Sequence, residues 1–402
     1  MLLDPSVRIR GKGDHMKDIF IESASQIDHS IIQEWKAGGG KIIGYTCSFM
    51  PLEICDAANI LPVRIRGIDQ NHASDDNVGD VYYGPYVCRY PKALLQLAVD
   101  GVYQFLDGAV VSTGCDAMRR LDDCWRKANQ DHHGILPAFF HYFDVPQKVE
   151  IHAQEWFSKK VTDLIQSIET HFNVNITHER LINAIRLRNR IRKLLWELEC
   201  MRCEKNSRVS GTVAFAVLIS SNTLPPQLFV NYLEQFINQI KQEKQISTKN
   251  PKRRLMVSGS IADDISLIKL IEDSGDTVVS AENLCFGVRH ACDQVMETGN
   301  LIDNMSKRYL SKSICPRMFG NYQARWACIK DKLIRAHIDG VILQNVRFCD
   351  LHGTDNGLLE KDIQSINIPV LRLEREYGAI TDIGRLKMRI DAFTEQLSTK
   401  ED

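Results

Sequence analysis

The sequence predicts an α/β fold, with two Rossmann-like, doubly wound parallel-sheet domains that are joined by a helical segment. Short apolar strands alternate with helices in the first and last parts of the chain, and this order favours parallel sheets with right-handed crossovers. The middle of the chain has helical periodicity without a convincing strand. The length of 402 residues also exceeds one ordinary core, so two or three domains are expected.

These patterns divide the chain into four predicted regions. Residues 1–37 are expected to form a polar helical lead that ends at a run of three glycines. Residues 38–150 form the first Rossmann-like domain in this prediction, residues 151–250 the helical segment with its charged linker, and residues 251–402 the second domain. The stretch HERLINAIRLRNRIRKLLWELECMRCEK is typical of a long amphipathic helix, because its apolar residues recur at helical spacing.

Each predicted strand is a short apolar run bounded by turn residues or by a helix pattern. In the first domain these runs are 41–46, 61–67, 108–113 and 138–146. In the second domain they are 254–260, 276–283, 339–345 and 368–374. Pro51 is expected to open a helix, because proline suits the first helical turn, and the polar stretch 70–80 is expected to be a loop. Further helices are expected around 91–104 and through Met118 and Trp125.

Composition and charge argue against several classes of protein. The net charge of −1 gives no reason to expect nucleic acid or an anionic membrane surface as a partner. No apolar run approaches the ~18 residues that a membrane-spanning helix needs, and the N-terminal MLLDPSVRIRGKGDHMK lacks the apolar core of a secretory signal. A cytoplasmic protein is therefore expected.

The twelve cysteines are the most informative part of the composition. In a reducing cytoplasm a disulfide framework is not expected, so the cysteines suggest thiolate–metal chemistry, reactive thiols or small core residues. Four of them come just after predicted strands. These are Cys47, Cys115, Cys285 and Cys349. Because ligands of open α/β sheets bind at the carboxyl ends of the strands, this placement favours a ligand-binding role over scattered core thiols.

Two further cysteines have suggestive settings: Cys88 lies in a predicted loop, and Cys315 precedes a proline that keeps its backbone extended. Cys115 is also expected to begin a helix, where unpaired N–H groups favour a thiolate. For each of these thiols the alternative is a buried core residue. The other cysteines are expected to be structural or incidental, because they lie in apparent helices without a second close pair to complete a zinc site. They are Cys55, Cys124, Cys200, Cys203, Cys292 and Cys328.

The cysteine-bearing segments make the sequence resemble the 2-hydroxyacyl-CoA dehydratase/benzoyl-CoA reductase superfamily of anaerobes. The matching segments run in family order from about residue 38 to about residue 380 and so cover nearly the whole chain. They are GYTCSFMPLEI with AANILPVRIRG, VCRYPKALL, FLDGAVVSTGCDAMRRLDDCWR, SAENLCFGVRH, CPRMFG, and DGVILQNVRFCDLHGTDN with IPVLRLERE. Each segment is moderately specific, and their order along the chain makes the resemblance strong.

The resemblance implies an iron–sulfur cluster between the two Rossmann-like domains. Cys115, Cys315 and Cys349 match the cysteines usually assigned to one [4Fe–4S] cubane of the family. Three more cysteines also match motif positions. They are Cys47, Cys88 and Cys285. A set of six resembles the double-cubane branch, in which an [8Fe–9S] cluster is held by three cysteines per cubane and a shared sulfide, but the sequence leaves open which three would bind which cubane.

The same resemblance implies a protein partner that supplies electrons. The stretch GGGKIIG lacks the spacing and the Ser/Thr of a phosphate-binding loop, so the chain has no recognisable nucleotide site of its own. In the family a separate ATP-dependent activator, with its own [4Fe–4S] cluster, delivers electrons at low potential. A homodimer is expected for a double-cubane protein and a heterodimer for a dehydratase-like subunit.

Several side chains near the cysteines are candidates for a role in the chemistry. Glu53 is a candidate proton source, or it only adds favourable charge to the first turn of a helix. His352, three residues after Cys349, is a candidate for proton relay or for a hydrogen bond to cluster sulfur, or it is a loop histidine without such a role. Arg119 and Arg120 either offset cluster charge or are solvated helix residues.

Three functions are open on this basis. The first is a double-cubane reductase that reduces small molecules with electrons from the activator, so that the cluster carries the chemistry. The second is a [4Fe–4S] subunit of a (R)-2-hydroxyacyl-CoA dehydratase or benzoyl-CoA reductase, with an acyl-CoA substrate and a different partner subunit. The third is a non-catalytic electron-transfer protein, and a cluster-free α/β protein with incidental thiols is a further alternative.

Overall fold

The structure, a computed structural model, has two four-stranded parallel sheets with flanking helices, and this confirms the predicted α/β class. The described residues are 15–68, 78–242, 253–274, 276–312, 314–378, 380 and 382–399. Most of the predicted loop 70–80 lies outside these residues, as do the start of the predicted N-terminal lead and most of the predicted linker before the second sheet. Within the described ranges, no helix combines the length and the apolar character that crossing a membrane requires.

The first sheet has the strand order β2-β1-β3-β4, and each neighbouring pair is parallel. Its strands are β1 (Lys41–Tyr45), β2 (Ile60–Arg64), β3 (Gly108–Ser112) and β4 (Phe139–Phe143). Nearly every residue of β1, β2 and β3 is buried, which explains their continuous apolar sequence. The direction in which successive strands are added reverses between β1 and β3, and ligands of open α/β sheets bind at such a switch point.

Helices precede the first sheet and connect its strands. They are α1 (His15–Ser25), α2 (Ser30–Ala37), α3 (Leu52–Ala57), α4 (Val78–Tyr82), α5 (Arg89–Val99) and α6 (Asp116–His132). Pro51 precedes α3, as predicted. The helix expected around 91–104 ends earlier, because Gly101 adopts a left-handed conformation with φ 79° and turns the chain.

The middle of the chain is helical, as its periodicity predicts. It forms α7 (Ile151–Phe172), α8 (His178–Cys203), α9 (Gly211–Ser220) and α10 (Pro226–Gln242). The Thr177 side chain accepts a hydrogen bond from the backbone N–H of Arg180 and so caps α8. The ring of Phe20 in α1 lies 6.0 Å from that of Phe229 and 5.8 Å from that of Phe236. Helix α1 of the N-terminal lead therefore packs on α10. The domain limits suggested by the sequence stay a prediction.

The second sheet repeats the topology of the first, with the strand order β6-β5-β7-β8. Its strands are β5 (Arg253–Gly259), β6 (Thr277–Asn283), β7 (Gly340–Val346) and β8 (Val370–Arg375). Its helices are α11 (Ser266–Glu272), α12 (Leu301–Leu310), α13 (Tyr322–Arg335), α14 (Asp350–Gln364) and α15 (Ile383–Ser398). All eight predicted strands are thus present among the described residues, each within a few residues of its predicted limits.

The carboxyl edges of the two sheets meet. Gly67, which follows β2, donates its backbone N–H to the carboxylate of Asp263 beyond β5 at 2.8 Å. The same N–H lies 3.1 Å from the hydroxyl of Tyr377 beyond β8. Because loops that follow strands of both sheets touch, side chains placed just after a strand in one domain can reach the other domain.

Candidate cysteine site between the two sheets

The six motif cysteines lie where the carboxyl edges of the two sheets meet. Cys47 and Cys115 lie at the switch point of the first sheet. Cys47 follows β1 and Cys115 follows β3, the two strands between which the sheet order reverses. A Cβ built on Gly114 would lie 3.5 Å from the sulfur of Cys47. The turn that precedes Cys115 therefore lies in van der Waals range of the Cys47 side chain.

Three of the six thiols form a first cysteine group, which comprises Cys88, Cys115 and Cys349. Each is the N-cap residue of a helix, namely α5, α6 and α14. Cys115 and Cys349 pack against the same hydrophobic cluster that contains Cys88. Burial raises the pKa of Cys115, and the nearby thiols of Cys88 and Cys349 raise it further. The three cysteines therefore lie within electrostatic reach of one another.

The other three thiols form a second cysteine group, which comprises Cys47, Cys285 and Cys315. Cys47 and Cys315 pack against one hydrophobic cluster, different from that of the first group. Burial raises the pKa of Cys315, and the thiols of Cys285 and Cys47 add to this rise. Cys47 also acts on the pKa of Cys115 in the first group. The two groups are therefore adjacent, and each contains cysteines from both domains.

Burial, rather than the helix N-terminus, controls the pKa of Cys88 and Cys115. It raises the pKa of Cys88 to about 12. Burial also raises the pKa of Cys115 far above its ordinary value, although the backbone N–H of Met118 opposes the rise. The helix start alone does not favour the thiolate that the sequence suggests at Cys115. A thiolate here needs a bound cation, and a metal ion deprotonates its thiol ligands outright.

Four buried cations surround the cysteines. They are Arg64, Arg289, Lys312 and Arg317, which are 1%, 4%, 3% and 3% exposed. Their hydrogen bonds go mainly to backbone carbonyls, and also to a cysteine, an asparagine and a histidine. Within the described residues, none of the four is ion-paired with a carboxylate. Burying a charge without a counter-charge costs several kcal/mol, and burial lowers the pKa of Lys312 well below its ordinary value. An anionic occupant would stabilise the charged form of these side chains and therefore suits this site.

Glu53 lies beside the site but already has its partners. It is fully buried, and one carboxylate oxygen lies 2.6 Å from Nη2 of Arg192, while the other accepts a hydrogen bond from the Tyr309 hydroxyl at 2.8 Å. Burial alone would raise the pKa of Glu53, but Arg192 and Arg308 outweigh it and lower the pKa to about 2. This arrangement favours a structural role over the role of a proton source.

A small cavity adjoins this ion pair. Its volume is about 20 Å³, which is room for one water molecule. Ser48, Arg192, His290 and Tyr309 contribute to its wall. The His290 Nε2 atom lies 2.7 Å from the hydroxyl of Ser221, which also lines this cavity.

His352 is a buried residue of the first turn of α14 rather than a loop histidine. Its Nε2 atom lies 3.3 Å from Nη1 of Arg289. Its Nδ1 atom has no hydrogen-bond partner among the described residues. Burial, together with Arg289 and Arg325, lowers the pKa of His352 well below its ordinary value. The ring is therefore neutral, and Nδ1 is available to a group bound at the cysteine site.

The other residues considered from the sequence lie away from this centre or are exposed. Arg119 and Arg120 are exposed on α6, which favours the solvated alternative. Cys55, Cys124 and Cys328 lie in helices, as expected. Cys292 does not, because a single 3₁₀ turn (Val288–His290) ends before it. The sequence patterns did not indicate the four buried cations, although Arg289 and Arg317 lie inside cysteine-bearing segments, in CFGVRH and CPRMFG, and Arg64 lies in LPVRIRG, which contains no cysteine.

Comparison with known proteins finds that the chain is similar to subunits of a benzoyl-CoA reductase and of acyl-CoA dehydratases. Residues 47–397 match the family model of the 2-hydroxyglutaryl-CoA dehydratase D-component. The chain is 25% identical to a benzoyl-CoA reductase subunit of Thauera aromatica over 337 residues, which are 81% of this chain and 83% of that protein.

Two dehydratase subunits match over more of the chain. The (R)-phenyllactyl-CoA dehydratase beta subunit of Clostridium sporogenes is 22% identical over 372 residues, which are 91% of this chain and 94% of that protein. The beta subunit of (R)-2-hydroxyglutaryl-CoA dehydratase of Acidaminococcus fermentans is 20% identical over 383 residues, 94% of this chain and 97% of that protein. These matches confirm the resemblance that the cysteine-bearing segments predict.

Proposed function

Since the chain belongs to the 2-hydroxyglutaryl-CoA dehydratase D-component family, we propose that it is an iron–sulfur reductase whose six motif cysteines hold a double-cubane [8Fe–9S] cluster. The relatives are subunits of reductases and dehydratases, so an enzymatic role is in keeping with the family. When bound, such a cluster supplies electrons at low potential to small molecules. The observation that carries this proposal is the gathering of six thiols from both domains among four buried cations.

The division of the thiols into two groups of three supports two cubanes rather than one. We assign the first cysteine group, Cys88, Cys115 and Cys349, to one cubane and the second group to the other. This assignment differs from the set Cys115, Cys315 and Cys349 that the resemblance implies, because Cys315 is coupled to Cys285 and Cys47. Within the described ranges, no three histidine, cysteine, aspartate or glutamate side chains are arranged to hold one metal ion. A cluster does not need three side chains around one ion, because its thiolates bind different irons.

The charges and free polar atoms of the site also fit a cluster. Iron–sulfur clusters with thiolate ligands are anionic, and the four buried cations without carboxylate partners would offset that charge. His352 is placed to donate a hydrogen bond from Nδ1 to the bound group, because this atom has no partner among the described residues. The role of Glu53 as a proton source stays a prediction from the sequence, and its ion pair with Arg192 favours the structural role.

We propose two protein partners. An ATP-dependent activator with its own [4Fe–4S] cluster delivers the electrons, because the sequence has no recognisable nucleotide site. A second copy of this chain forms a homodimer. Light scattering coupled to size-exclusion chromatography of anaerobically purified protein tests the second partner, since a monomer, or a requirement for a different partner protein, contradicts it.

An anaerobic iron and sulfide count, combined with EPR, tests the proposed cofactor. Purified protein is expected to contain about eight irons and about nine sulfides per chain. About four irons per chain would rule out the double cubane, and a colourless, iron-free preparation would rule out any cluster. Reduction of small molecules is then assayed with the activator and ATP present.

A second candidate function is favoured by the names of the relatives, which are subunits of a benzoyl-CoA reductase and of two dehydratases. In that case the chain holds one [4Fe–4S] cluster, binds an acyl-CoA and works with a different subunit. A titration of the loaded protein with acyl-CoA, with and without candidate partner subunits, separates the two functions. Saturable binding together with four irons would support this second candidate.

A further inference from the structure

We propose that Arg64 is a positioning residue that reaches from the first domain to Cys285 in the second, holds its sulfur, and offsets the negative charge of the bound cluster. This inference rests on the proposed function, because it assigns a role to Arg64 only in the cluster-loaded protein. It adds a residue to the site that no cysteine motif contains.

The contacts of Arg64 fix its guanidinium group on two consecutive residues of the other domain. Its Nη1 atom donates to the backbone carbonyl of Cys285 at 2.7 Å, and its Nη2 atom lies 2.8 Å from the Cys285 sulfur. The guanidinium carbon also lies 3.8 Å from the centre of the Phe286 ring, a cation–π contact. These three contacts set the position, the plane and the direction of the group.

The location of Arg64 gives these contacts a rigid base. Arg64 is the last residue of β2, and its backbone N–H donates to the carbonyl of Asn222 at 2.8 Å. The side chain is 1% exposed, so its charge is weakly screened by water. Its Nε atom has no hydrogen-bond partner among the described residues. A buried donor of this kind is costly unless it faces an acceptor in the occupied site.

Arg64 differs from the other three buried cations of the site in what it touches. Arg289 donates to an asparagine, to a histidine and to carbonyls, and Lys312 donates to a carbonyl. Arg317 donates to carbonyls, to the Thr113 hydroxyl and to the sulfur of Met318, which is not a candidate ligand. Among the described residues, Arg64 is thus the one cation of these four with a hydrogen bond to a candidate ligand sulfur. The other three contribute charge, whereas Arg64 contributes charge and orientation.

The expected consequence is a higher reduction potential. Each electron added to the site adds a negative charge, and a nearby buried cation stabilises the more negative state. A hydrogen bond to a ligand sulfur acts in the same direction. Lysine cannot replace arginine fully here, because it lacks the planar fork that makes two parallel contacts and stacks on a ring.

Redox titration of the anaerobically purified holoprotein, followed by EPR with titanium(III) citrate as reductant, tests the inference. Arg64→Met, which keeps the apolar stem but removes the charge and the donors, is expected to shift the reduction potential to more negative values. Arg64→Lys, which keeps the charge, is expected to recover part of that shift. Iron and sulfide are counted in the same samples.

Arg66→Lys is the matched control. Arg66 is equally buried, lies two residues further along the same segment, and donates to the backbone carbonyls of Ala24 and Gln26. This variant is expected to keep the wild-type potential. A shift of the same size in Arg66→Lys and Arg64→Lys would overturn the inference, because the effect would then come from general disturbance of a buried arginine.

The outcomes separate the inference from the proposed function on which it rests. Wild-type protein without iron overturns both. Wild-type protein with its full iron content, together with Arg64 variants of unchanged potential, overturns only the role of Arg64. If Arg64→Met does not fold, Arg64→Lys still decides, because the loss of the paired hydrogen bonds should leave its potential below the wild-type value.

Discussion

At the scale of single residues, the neighbours of a buried charge decide what that charge does. Glu53 and Arg192 neutralise each other, and this pair therefore stabilises the packing of α3 on α8. Arg64 is as deeply buried but has no carboxylate partner among the described residues, so it is suited to an anionic group that binds later. Glu53 and Arg64 look alike in the sequence, since each is a charged residue within an apolar motif.

Replacing Glu53 by glutamine is expected to destabilise the fold strongly. The change leaves Arg192 buried without its counter-charge, and breaking one partner of a buried pair costs about 3–5 kcal/mol. The pKa of Glu53 is lowered to about 2, below its ordinary value. Its contribution is therefore complete above the ordinary carboxyl range and is lost only as the pH falls toward 2, so the full effect is expected at pH 7.

Urea unfolding of the two proteins at pH 7 measures this effect. The exposed Glu155 on α7 provides the control, because Glu155→Gln should change the unfolding free energy by less than about 0.5 kcal/mol. Equal midpoints for Glu53→Gln and the wild type would show that the ion pair contributes nothing. Loss of activity in Glu53→Gln with unchanged stability would instead support the proton source predicted from the sequence.

His29 predicts a loss of stability in mild acid. It is buried, neither ring nitrogen has a partner among the described residues, and burial followed by Arg66 lowers its pKa to about 3. The His29 ring therefore stays neutral in the folded state at a pH at which it takes up a proton in the unfolded state. The contribution of His29 to the unfolding free energy is therefore fully present above pH 6.5. The unfolding free energy falls below that pH, by about 1.4 kcal/mol at pH 5.5.

The variant His29→Leu isolates this contribution. Between pH 7.5 and pH 5.5 it should lose about 1.4 kcal/mol less unfolding free energy than the wild type, because no proton is taken up at that position. The histidine makes no side-chain cap bond to α2, so no cap is lost. The exposed His178→Gln should keep the pH dependence of the wild type. Identical pH profiles for all three proteins would contradict the prediction.

At the scale of elements, the end of strand β5 leaves no room for a side chain. Gly259 ends β5 with φ 141° and pairs with Gln344 of β7. A Cβ at this position would lie 1.8 Å from the backbone oxygen of Gln344. Arg289 donates to the carbonyl of Gly259 at 3.3 Å, so the same strand end supports one of the site's cations.

Gly259→Ala is expected to lower the unfolding free energy by about 2 kcal/mol or more, because it adds a backbone clash to an unfavourable conformation. Gly357→Ala is the matched control, since a Cβ at Gly357 in α14 meets nothing within 4 Å. There the same change should raise stability by about 1 kcal/mol, as alanine favours a helix. Thermal or urea unfolding of both variants checks this, and equal effects of the two changes would contradict the account of β5.

At the scale of the whole molecule, the cysteine site belongs to neither domain alone. Each cysteine group combines residues that follow strands or turns of both sheets. Arg64 and Cys285 cross the same boundary. The site is therefore complete only where the two sheets meet.

The division into two groups predicts how iron is lost when cysteines are removed. If the proposed double cubane is bound, replacing the three cysteines of the first group by serine should reduce the iron content from about eight to about four per chain, because the second group would keep its own cubane. The control replaces three cysteines outside the groups. These are Cys200, Cys203 and Cys328. Iron loss in the control, or no loss in the first variant, would contradict the assignment.

Much of the fold was predictable, and the reason is local. The strands of both sheets follow from apolar runs of five to seven residues, because parallel strands covered on both faces need continuous apolar sequence. The early end of α5 was not predicted, since the conformation of Gly101 depends on how the following turn packs. Of the candidate site, the six cysteines came from strand ends and family motifs, whereas the cations around them were missed.

The sequence by itself determined the alternation of strands and helices, the family, and the placement of Cys47, Cys115, Cys285 and Cys349 after strands. These are properties of short stretches, which burial and periodicity set within a few residues. Only the tertiary structure decided which thiols share a volume, that Glu53 is neutralised by Arg192, and that Arg64 reaches Cys285. The last two of these relations join residues more than a hundred positions apart, and such contacts depend on the packing of the whole chain rather than on any local pattern.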